Sequence, residues 1–279
     1  MRISVSLKAM AMAAVCSWPA LAGAAGKCER LVATGNPDYP PYLWLDPQSP
    51  KHLIGASADL LMLIGEQLGV KIELLHTGPW GKAEGEVRSG RVDLLLGAPL
   101  TLSRLDAMDY VHPAFFNTPS VVWVNKDRMF PYSGWEDLRM RSGGLVAGTG
   151  FGPQFDGYAK ANLTLEEAPS LSQAFHKLLQ GRTDYVLYER YPGMAQADAQ
   201  GMLGGLETLE PPVSSEGLYL AVAHNSACND AWLRGQLAKK MTELTAAGLP
   251  ETLLQRNLER WKAQQTQSAA TPPTQDDSQ

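Results

Sequence analysis

The sequence predicts an α/β protein built from two similar lobes. The pattern Gly-Arg-x-Asp followed by an apolar run occurs twice, at residues 90–96 and again at residues 181–187. Before the second copy, apolar residues recur at the spacing of one helix face: Leu171, Ala174, Phe175, Leu178 and Leu179. Each copy therefore predicts a helix that stops at glycine and leads into a buried strand. Polar residues follow both strands, so we expect the two lobes to present a cation and an anion to one cleft.

The first 25 residues have the features of a secretory signal. Arg2 and Lys8 precede an apolar stretch, and small residues at 20–25 mark a cleavage point. The uninterrupted apolar stretch is shorter than the roughly 20 residues that a membrane-spanning helix needs. We therefore expect residues 1–25 to be removed on export, leaving a soluble exported protein.

The charge balance argues against a nucleic-acid partner. The chain has 24 Lys and Arg against 29 Asp and Glu, a formal net charge of −5 at pH 7. Removal of the signal takes away Arg2 and Lys8 and makes the mature chain more negative. Such a chain does not bind nucleic acid or an anionic membrane surface by bulk electrostatics.

Two cysteines, Cys28 and Cys228, remain after the signal, in a compartment that permits disulfides. We expect them to be bonded, and two separate thiols are the alternative. The sequence has neither a Cys-x-x-Cys pair nor a His/Cys cluster, so it predicts no metal site.

The elements of the first lobe follow in order after the signal. Residues 31–34 predict a strand, and the proline-rich residues 35–42 a stiff loop at its end. A helix is predicted from Ala58 to Gly69, followed by a strand at residues 70–74. The succession of strand, helix and strand implies a parallel sheet.

Two extended passages divide the chain into lobes. An apolar segment at residues 120–124 leads into a second α/β unit, and a second passage near residues 211–215 leads back to a strand at 218–222. Helices follow from Asp230 to about Gln264. The predicted organisation is a signal at residues 1–25, the first part of lobe I at 26–116, lobe II at 117–214, the return to lobe I at 215–264, and a disordered tail without apolar periodicity at 265–279.

Taken together, these motifs resemble one family, the type II periplasmic substrate-binding proteins of the polar amino-acid ABC transporters (solute-binding protein family 3). The resemblance runs from Leu31 to about Trp261. The segments that carry it are Tyr39-Pro40-Pro41-Tyr42, residues 55–60, Pro79-Trp80, residues 90–104, residues 135–138, Gly148-Thr149 and residues 181–189. It implies a two-lobed, periplasmic-binding-protein-like fold with two crossing strands as the hinge, and ligand bound between the lobes.

The resemblance also assigns charged binding residues. Arg104 matches an arginine that binds the ligand's carboxylate, since a planar guanidinium donates two parallel hydrogen bonds to the two carboxylate oxygens. Glu189 matches a position that is often an aspartate and pairs with the ligand's ammonium, although a local pair with Arg190 or Arg182 is an alternative. Thr149 would complete the carboxylate site from lobe II, and an ordinary glycine turn is the alternative there.

Aromatic and neutral residues complete the expected site. Tyr39 and Trp80 match positions whose rings often sandwich the ligand's side chain, although Trp80 also fits a core tryptophan. Asn36 stands where family members that bind basic side chains often have aspartate. Gly97 belongs to the strand-end loop expected to face the ligand. Pro99 departs from the family pattern, which commonly has serine or threonine there.

The function implied by the resemblance is capture of a small carboxylate-bearing ligand, an amino acid or a derivative, for delivery to an inner-membrane ABC permease. A monomer without enzymatic activity or cofactor is expected. One alternative is an enzyme on the same fold, similar to cyclohexadienyl dehydratases, although the histidines are scattered and no Gly-x-Ser-x-Gly motif occurs. The other alternative is a ligand sensor that meets a membrane receptor.

Overall fold

The computed structural model describes the backbone of residues 28–270 and the side chains of residues 28–267. The predicted signal at residues 1–25 lies outside the described residues. The strands are β1 (Arg30–Gly35), β2 (Asp38–Tyr39), β3 (Leu43–Leu45), β4 (Leu53–Ile54), β5 (Lys71–Leu74), β6 (Leu94–Pro99), β7 (Met108–Asn125), β8 (Ser142–Val146), β9 (Thr164–Ala168), β10 (Tyr185–Glu189) and β11 (Leu206–Ala223). The helices are α1 (Ala56–Leu68), α2 (Trp80–Arg88), α3 (Leu102–Leu105), α4 (Pro153–Asn162), α5 (Leu171–Leu179), α6 (Arg190–Ala199), α7 (Ala231–Ala246) and α8 (Leu249–Ala270).

Across residues 28–270, eight strands form one sheet in the order β5-β1-β6-β11-β7-β10-β8-β9, and β2, β3 and β4 form a small second sheet. The centre of the large sheet is the antiparallel pair β7 and β11, each 18 residues long. One end of β11 pairs with β6, and one end of β7 pairs with β10. The predicted fold class, an α/β protein with two lobes and two crossing strands, is therefore confirmed.

The repeated Gly-Arg-x-Asp motif performs the same structural task in both halves. Gly90 and Gly181 have positive φ angles of 76° and 71°, in the left-handed region that glycine adopts without strain, after helices α2 and α5. Asp93 Oδ2 accepts a hydrogen bond of 2.8 Å from the amide of Val32, and Asp184 Oδ2 accepts one of 2.8 Å from the amide of Ser142. Each aspartate thus ties its own strand region to the neighbouring parallel strand.

Each half contains its own apolar clusters. The half that contains β1 and β6 buries Leu31 and Leu60, and Leu254 of α8 returns to the same cluster. The other half buries Phe175 of α5 beneath Trp123, with ring centroids 5.2 Å apart. Burial of apolar area on this scale is the main favourable term in folding.

The C-terminal helix is longer than the sequence predicts. Disorder was expected from residue 265, but α8 continues through Ala270, so the expectation is wrong for residues 265–270. No glycine or proline interrupts these residues, and alanine and glutamine are good helix formers. Trp44 Nε1 also donates to Gln264 Oε1 at 2.9 Å, which holds the helix against the small sheet. Residues 271–279 lie outside the described part.

A disulfide joins Cys28 to Cys228, with Cα atoms 5.6 Å apart. It connects the beginning of the described chain to the loop between β11 and α7, across a sequence separation of 200. Within residues 28–270, no helix has both the length and the apolar character that a membrane crossing requires.

Candidate functional site

A cavity of about 190 Å³ lies at the ends of several strands. Its lining residues are Asn36, Tyr39, Trp80, Gly97, Pro99, Arg104, Glu189 and Leu218. Six of the seven residues that the sequence assigns to ligand binding are among them. Thr149 is not a lining residue, and Pro99 and Leu218 are lining residues that the sequence does not assign to ligand binding.

The lining residues come from elements that are distant in the chain. Asn36 follows β1, and Gly97 lies in β6, two strands that run parallel. Arg104 belongs to the short helix α3 after β6, and Glu189 is the last residue of β10. Strand ends of α/β sheets are the usual place for ligands because loops and helix termini converge there.

Gly97 has a backbone conformation that favours glycine. Its φ angle is +75°, while a Cβ placed there would meet no atom within 4 Å. The backbone angle, and not the space around it, therefore explains glycine at this position.

Arg104 is held in place by three kinds of contact. Its Nε and Nη2 atoms donate to Glu84 Oε2 at 3.1 and 2.9 Å, and Nη1 donates to the carbonyl oxygen of Pro99 at 3.1 Å. The guanidinium carbon lies 5.2 Å from the ring centroid of Trp80. A guanidinium has five N–H groups, so one N–H on Nη1 and one on Nη2 remain outside these contacts.

Glu84 is a feature of the site that the sequence analysis missed. Its side chain is 17% exposed and that of Arg104 is 14% exposed, so the pair is largely shielded from water. Glu84 also pairs with Arg88 one helical turn later in α2. Burial acts to raise the pKa of the Glu84 carboxyl, but hydrogen bonds from the two arginines outweigh it, and the pKa lies below its ordinary value. Only the spacing of Glu84 and Arg88, typical of a helix pair, signals part of this network in the sequence.

Glu189 has a neutral hydrogen-bond donor and no cation beside it. Its Oε2 accepts a hydrogen bond of 2.8 Å from the hydroxyl of Tyr39. The local pair with Arg190 does not form, because Arg190 pairs with Glu210. Among residues 28–267, no cationic side chain lies at ion-pair distance from Glu189. Burial raises the pKa of the Glu189 carboxyl above its ordinary value.

The two aromatic residues differ in how they are held. The Tyr39 ring packs beside Tyr42, with centroids 5.1 Å apart, and burial raises the pKa of the Tyr39 hydroxyl, which remains a proton donor. Trp80 begins α2 directly after Pro79 and packs partly against a core cluster. Trp80 therefore contacts both the core and the cavity. The sequence left open whether Trp80 is a core residue or a residue that faces the ligand.

Asn36 and Thr149 make local backbone contacts. The side-chain oxygen of Asn36 accepts a hydrogen bond of 3.0 Å from the amide of Asp38, which closes a turn beside the cavity. The amide of Thr149 donates to the carbonyl of Val146 at 3.0 Å, as in an ordinary turn after β8. Within the described residues, no group of three or more His, Cys, Asp or Glu side chains is arranged to hold a metal ion.

Several solved structures have a similar fold. Substrate-binding domain 2 of GlnP from Lactococcus lactis, in its open conformation, has a TM-score of 0.67 and 20% identity, with 84% of this chain and 97% of that chain covered. The amino acid ABC transporter substrate-binding protein AbpA from Streptococcus pneumoniae, bound to L-arginine, has a TM-score of 0.58 and 20% identity, with 84% and 96% covered. A histidine kinase sensor domain with similarity to periplasmic binding proteins has a TM-score of 0.58 and 24% identity, with 82% and 96% covered.

At these identities the solved structures support the fold alone. No curated protein matches the sequence significantly. The family model for bacterial extracellular solute-binding proteins, family 3, matches residues 31–260, which is most of the chain. The chain therefore belongs to family 3 of the bacterial extracellular solute-binding proteins.

Proposed function

We propose that this protein binds a small zwitterion, an amino acid or an amino-acid derivative, in the cavity between its lobes. The observation that carries the proposal is the pair of opposite charged groups on one small cavity: the Glu189 carboxylate, which has no cationic partner among the described residues, and the Arg104 guanidinium. The cavity of about 190 Å³ is smaller than the roughly 300–1,000 Å³ typical of clefts for drug-sized ligands.

Glu189 is the proposed partner of the ligand's ammonium group. A carboxylate that is removed from water requires a cation or several donors to remain ionised, and the Tyr39 hydroxyl that donates to Glu189 is neutral. A ligand ammonium would supply the missing charge and further hydrogen bonds. Binding would thereby relieve the cost of burying Glu189.

Arg104 is the proposed partner of the ligand's carboxylate. A guanidinium can donate two parallel hydrogen bonds to a carboxylate, and Arg104 lines the cavity. Glu84, Pro99 and Trp80 fix the guanidinium before the ligand arrives, so little entropy is lost on binding. The rings of Tyr39 and Trp80 are proposed to pack against the ligand's side chain.

Closure of the lobes is proposed to complete the site. The lobe boundaries are proposed at residues 116–117 and 214–215, within β7 and β11. Closure about these strands would bring Thr149 and its neighbouring amides towards a bound carboxylate. A ligand that contacts both lobes favours the closed state because it binds that state more tightly.

Delivery to an inner-membrane ABC permease from the periplasm is proposed from the family and from the amino acid ABC transporter proteins that share the fold. A sensor role is the second candidate, since a histidine kinase sensor domain has the same fold. Co-purification with a permease or with a receptor from native membranes separates these two roles.

A thermal-shift screen of amino acids, amines and organic acids tests the proposed ligand class. A ligand at about 100 times its dissociation constant adds roughly 2.7 kcal/mol to stability. We expect stabilisation by at least one amino acid or derivative, followed by calorimetry. Stabilisation only by acids that lack an amine would overturn the proposal, and conversion of a bound compound to product would instead support an enzyme.

A further inference from the structure

Glu84 lies between two arginines, only one of which reaches the cavity. Its Oε2 accepts from Arg104, while its Oε1 accepts from Arg88 Nε at 3.0 Å and from Arg88 Nη2 at 2.8 Å. Arg104 lines the cavity, and neither Glu84 nor Arg88 does. The arginine that would meet the ligand therefore shares its protein carboxylate with a second guanidinium.

The shared carboxylate changes the charge that the cavity experiences. Glu84 and Arg104 alone would form a neutral pair and would weaken the attraction of Arg104 for a ligand carboxylate. With Arg88 included, the three side chains carry a net charge of +1. The Glu84 and Arg104 side chains are mostly buried, so water and salt screen this charge less than they screen a surface pair.

Arg88 is fixed in this position by a second helix. Its Nη1 donates to the carbonyl oxygen of Ser103 at 3.1 Å, and its Nη2 lies 3.2 Å from Ser103 Oγ. Ser103 directly precedes Arg104 in α3. Arg88 thus connects α2 to the helix that carries the ligand-facing arginine.

We infer that Arg88, from outside the cavity, determines the selectivity of the site for ligands that carry a carboxylate over matching amines that lack it. The inference rests on the proposed function. Arg88 acts as a positioning and charge-setting residue: it occupies Oε1 of Glu84, so that Glu84 does not cancel the positive charge of Arg104. Removal of the Arg88 charge should therefore weaken binding of a carboxylate ligand and leave binding of the corresponding amine nearly unchanged.

The test compares matched ligand pairs by calorimetry. Each pair consists of an amino acid and the amine that lacks its carboxylate: L-lysine with cadaverine, L-arginine with agmatine, L-phenylalanine with 2-phenylethylamine, and L-alanine with ethylamine. Each pair that binds the wild-type protein is measured again with Arg88→Gln. We expect the affinity for the amino acid to fall by about fivefold or more. The affinity for its amine should change by less than about twofold. Arg88→Lys keeps the charge, so it should retain most of the preference for the amino acid.

Arg91→Gln is the matched control because Arg91 forms a similar pair with Glu86 on the exposed side of the same region, away from Glu84. It should change neither affinity. Equal losses of affinity for the amino acid and the amine in Arg88→Gln would mean that Arg88 acts only by maintaining the fold. No change in either affinity would mean that the pairing of Arg88 with Glu84 does not affect the charge of Arg104 at the cavity. Both results overturn the inference while the proposed function stands. If no amino acid or derivative binds the wild-type protein in the thermal-shift screen, the proposed function falls and the inference falls with it.

Discussion

The hydroxyl of Tyr39 donates a hydrogen bond to Glu189 Oε2 at 2.8 Å, although 150 positions separate the two residues in the chain. Tyr39 lies in β2 of the small sheet, and Glu189 ends β10, on the other side of the crossing strands from β6. The bond joins the two halves of the molecule directly at the cavity. It also leaves the carboxylate with a neutral partner, so a cation is still required to balance its charge.

The substitution Glu189→Gln tests the need for that charge. We expect the affinity for an ammonium-bearing ligand to fall at least tenfold, because a buried charge pair loses one member. The free energy of unfolding of the ligand-free protein should stay the same or rise, since a buried carboxylate without a cation is removed. Calorimetry and thermal denaturation measure both quantities.

Glu210→Gln, in the exposed pair with Arg190, is the control and should leave affinity intact. An affinity within twofold of wild type for Glu189→Gln would exclude Glu189 from the site.

Binding should also depend on pH through Glu189. Because its pKa is raised, Glu189 takes up a proton earlier than an exposed glutamate as the pH falls. Affinity for a cationic ligand should therefore decrease as the pH is lowered from neutral through the raised pKa of Glu189. The native state holds this proton more tightly than the unfolded chain, so the contribution of Glu189 to stability increases as the pH falls and is lost as the pH rises through the raised pKa. Titration calorimetry across this range should show the decrease in wild type and a flatter profile in Glu189→Gln. Equal slopes in the two proteins would assign the dependence to another group.

Arg104→Ala should weaken binding of a carboxylate ligand by at least an order of magnitude, since a charge-assisted, two-point contact is lost. Arg104→Lys keeps the charge without the planar fork and should have an intermediate affinity. Arg139→Ala provides a matched control, because Arg139 also contacts a ring, that of Tyr158, but does not line the cavity. Unchanged affinity in Arg104→Ala, measured by calorimetry, would remove Arg104 from the ligand contacts.

Trp80→Ala should reduce ligand affinity with only a small decrease in Tm. The ring lies against the Arg104 guanidinium, and a contact of this kind contributes roughly 0.5–2 kcal/mol. Trp80→Phe retains a ring and should recover part of the affinity. A collapse of the cooperative thermal transition in Trp80→Ala would show instead that the residue acts mainly in the core.

Loss of the Cys28–Cys228 bond should lower stability without changing ligand affinity. The bond closes a long loop and limits the freedom of the unfolded chain, an effect worth about 2–5 kcal/mol in small exported domains. Neither cysteine lines the cavity. The double variant Cys28→Ser/Cys228→Ser, measured by denaturant unfolding and calorimetry, checks both expectations. A marked loss of affinity in the folded double variant would contradict them.

Local patterns explain why much of the fold was predictable. The apolar spacing of Leu171 and Phe175 and the stop at Gly181 depend on neighbours within a few residues, and the structure has helix α5 there. The repeated aspartates, Asp93 and Asp184, were recognisable as a pair because both follow the same glycine and arginine. Their shared role became visible only when the neighbouring strands were in place.

Short stretches of sequence predict the α/β class, the two crossing segments and a set of candidate binding residues, of which Asn36, Tyr39, Trp80, Gly97, Arg104 and Glu189 line one cavity. Periodicity, helix stops and family motifs are carried by short stretches of chain, so they can be read without coordinates. Which charged groups have a partner depends instead on the three-dimensional packing. Glu84 holds Arg104 from 20 positions away, and Tyr39 meets Glu189 from 150 positions away, because the packing of helices and strands, and not local sequence, brings these groups together.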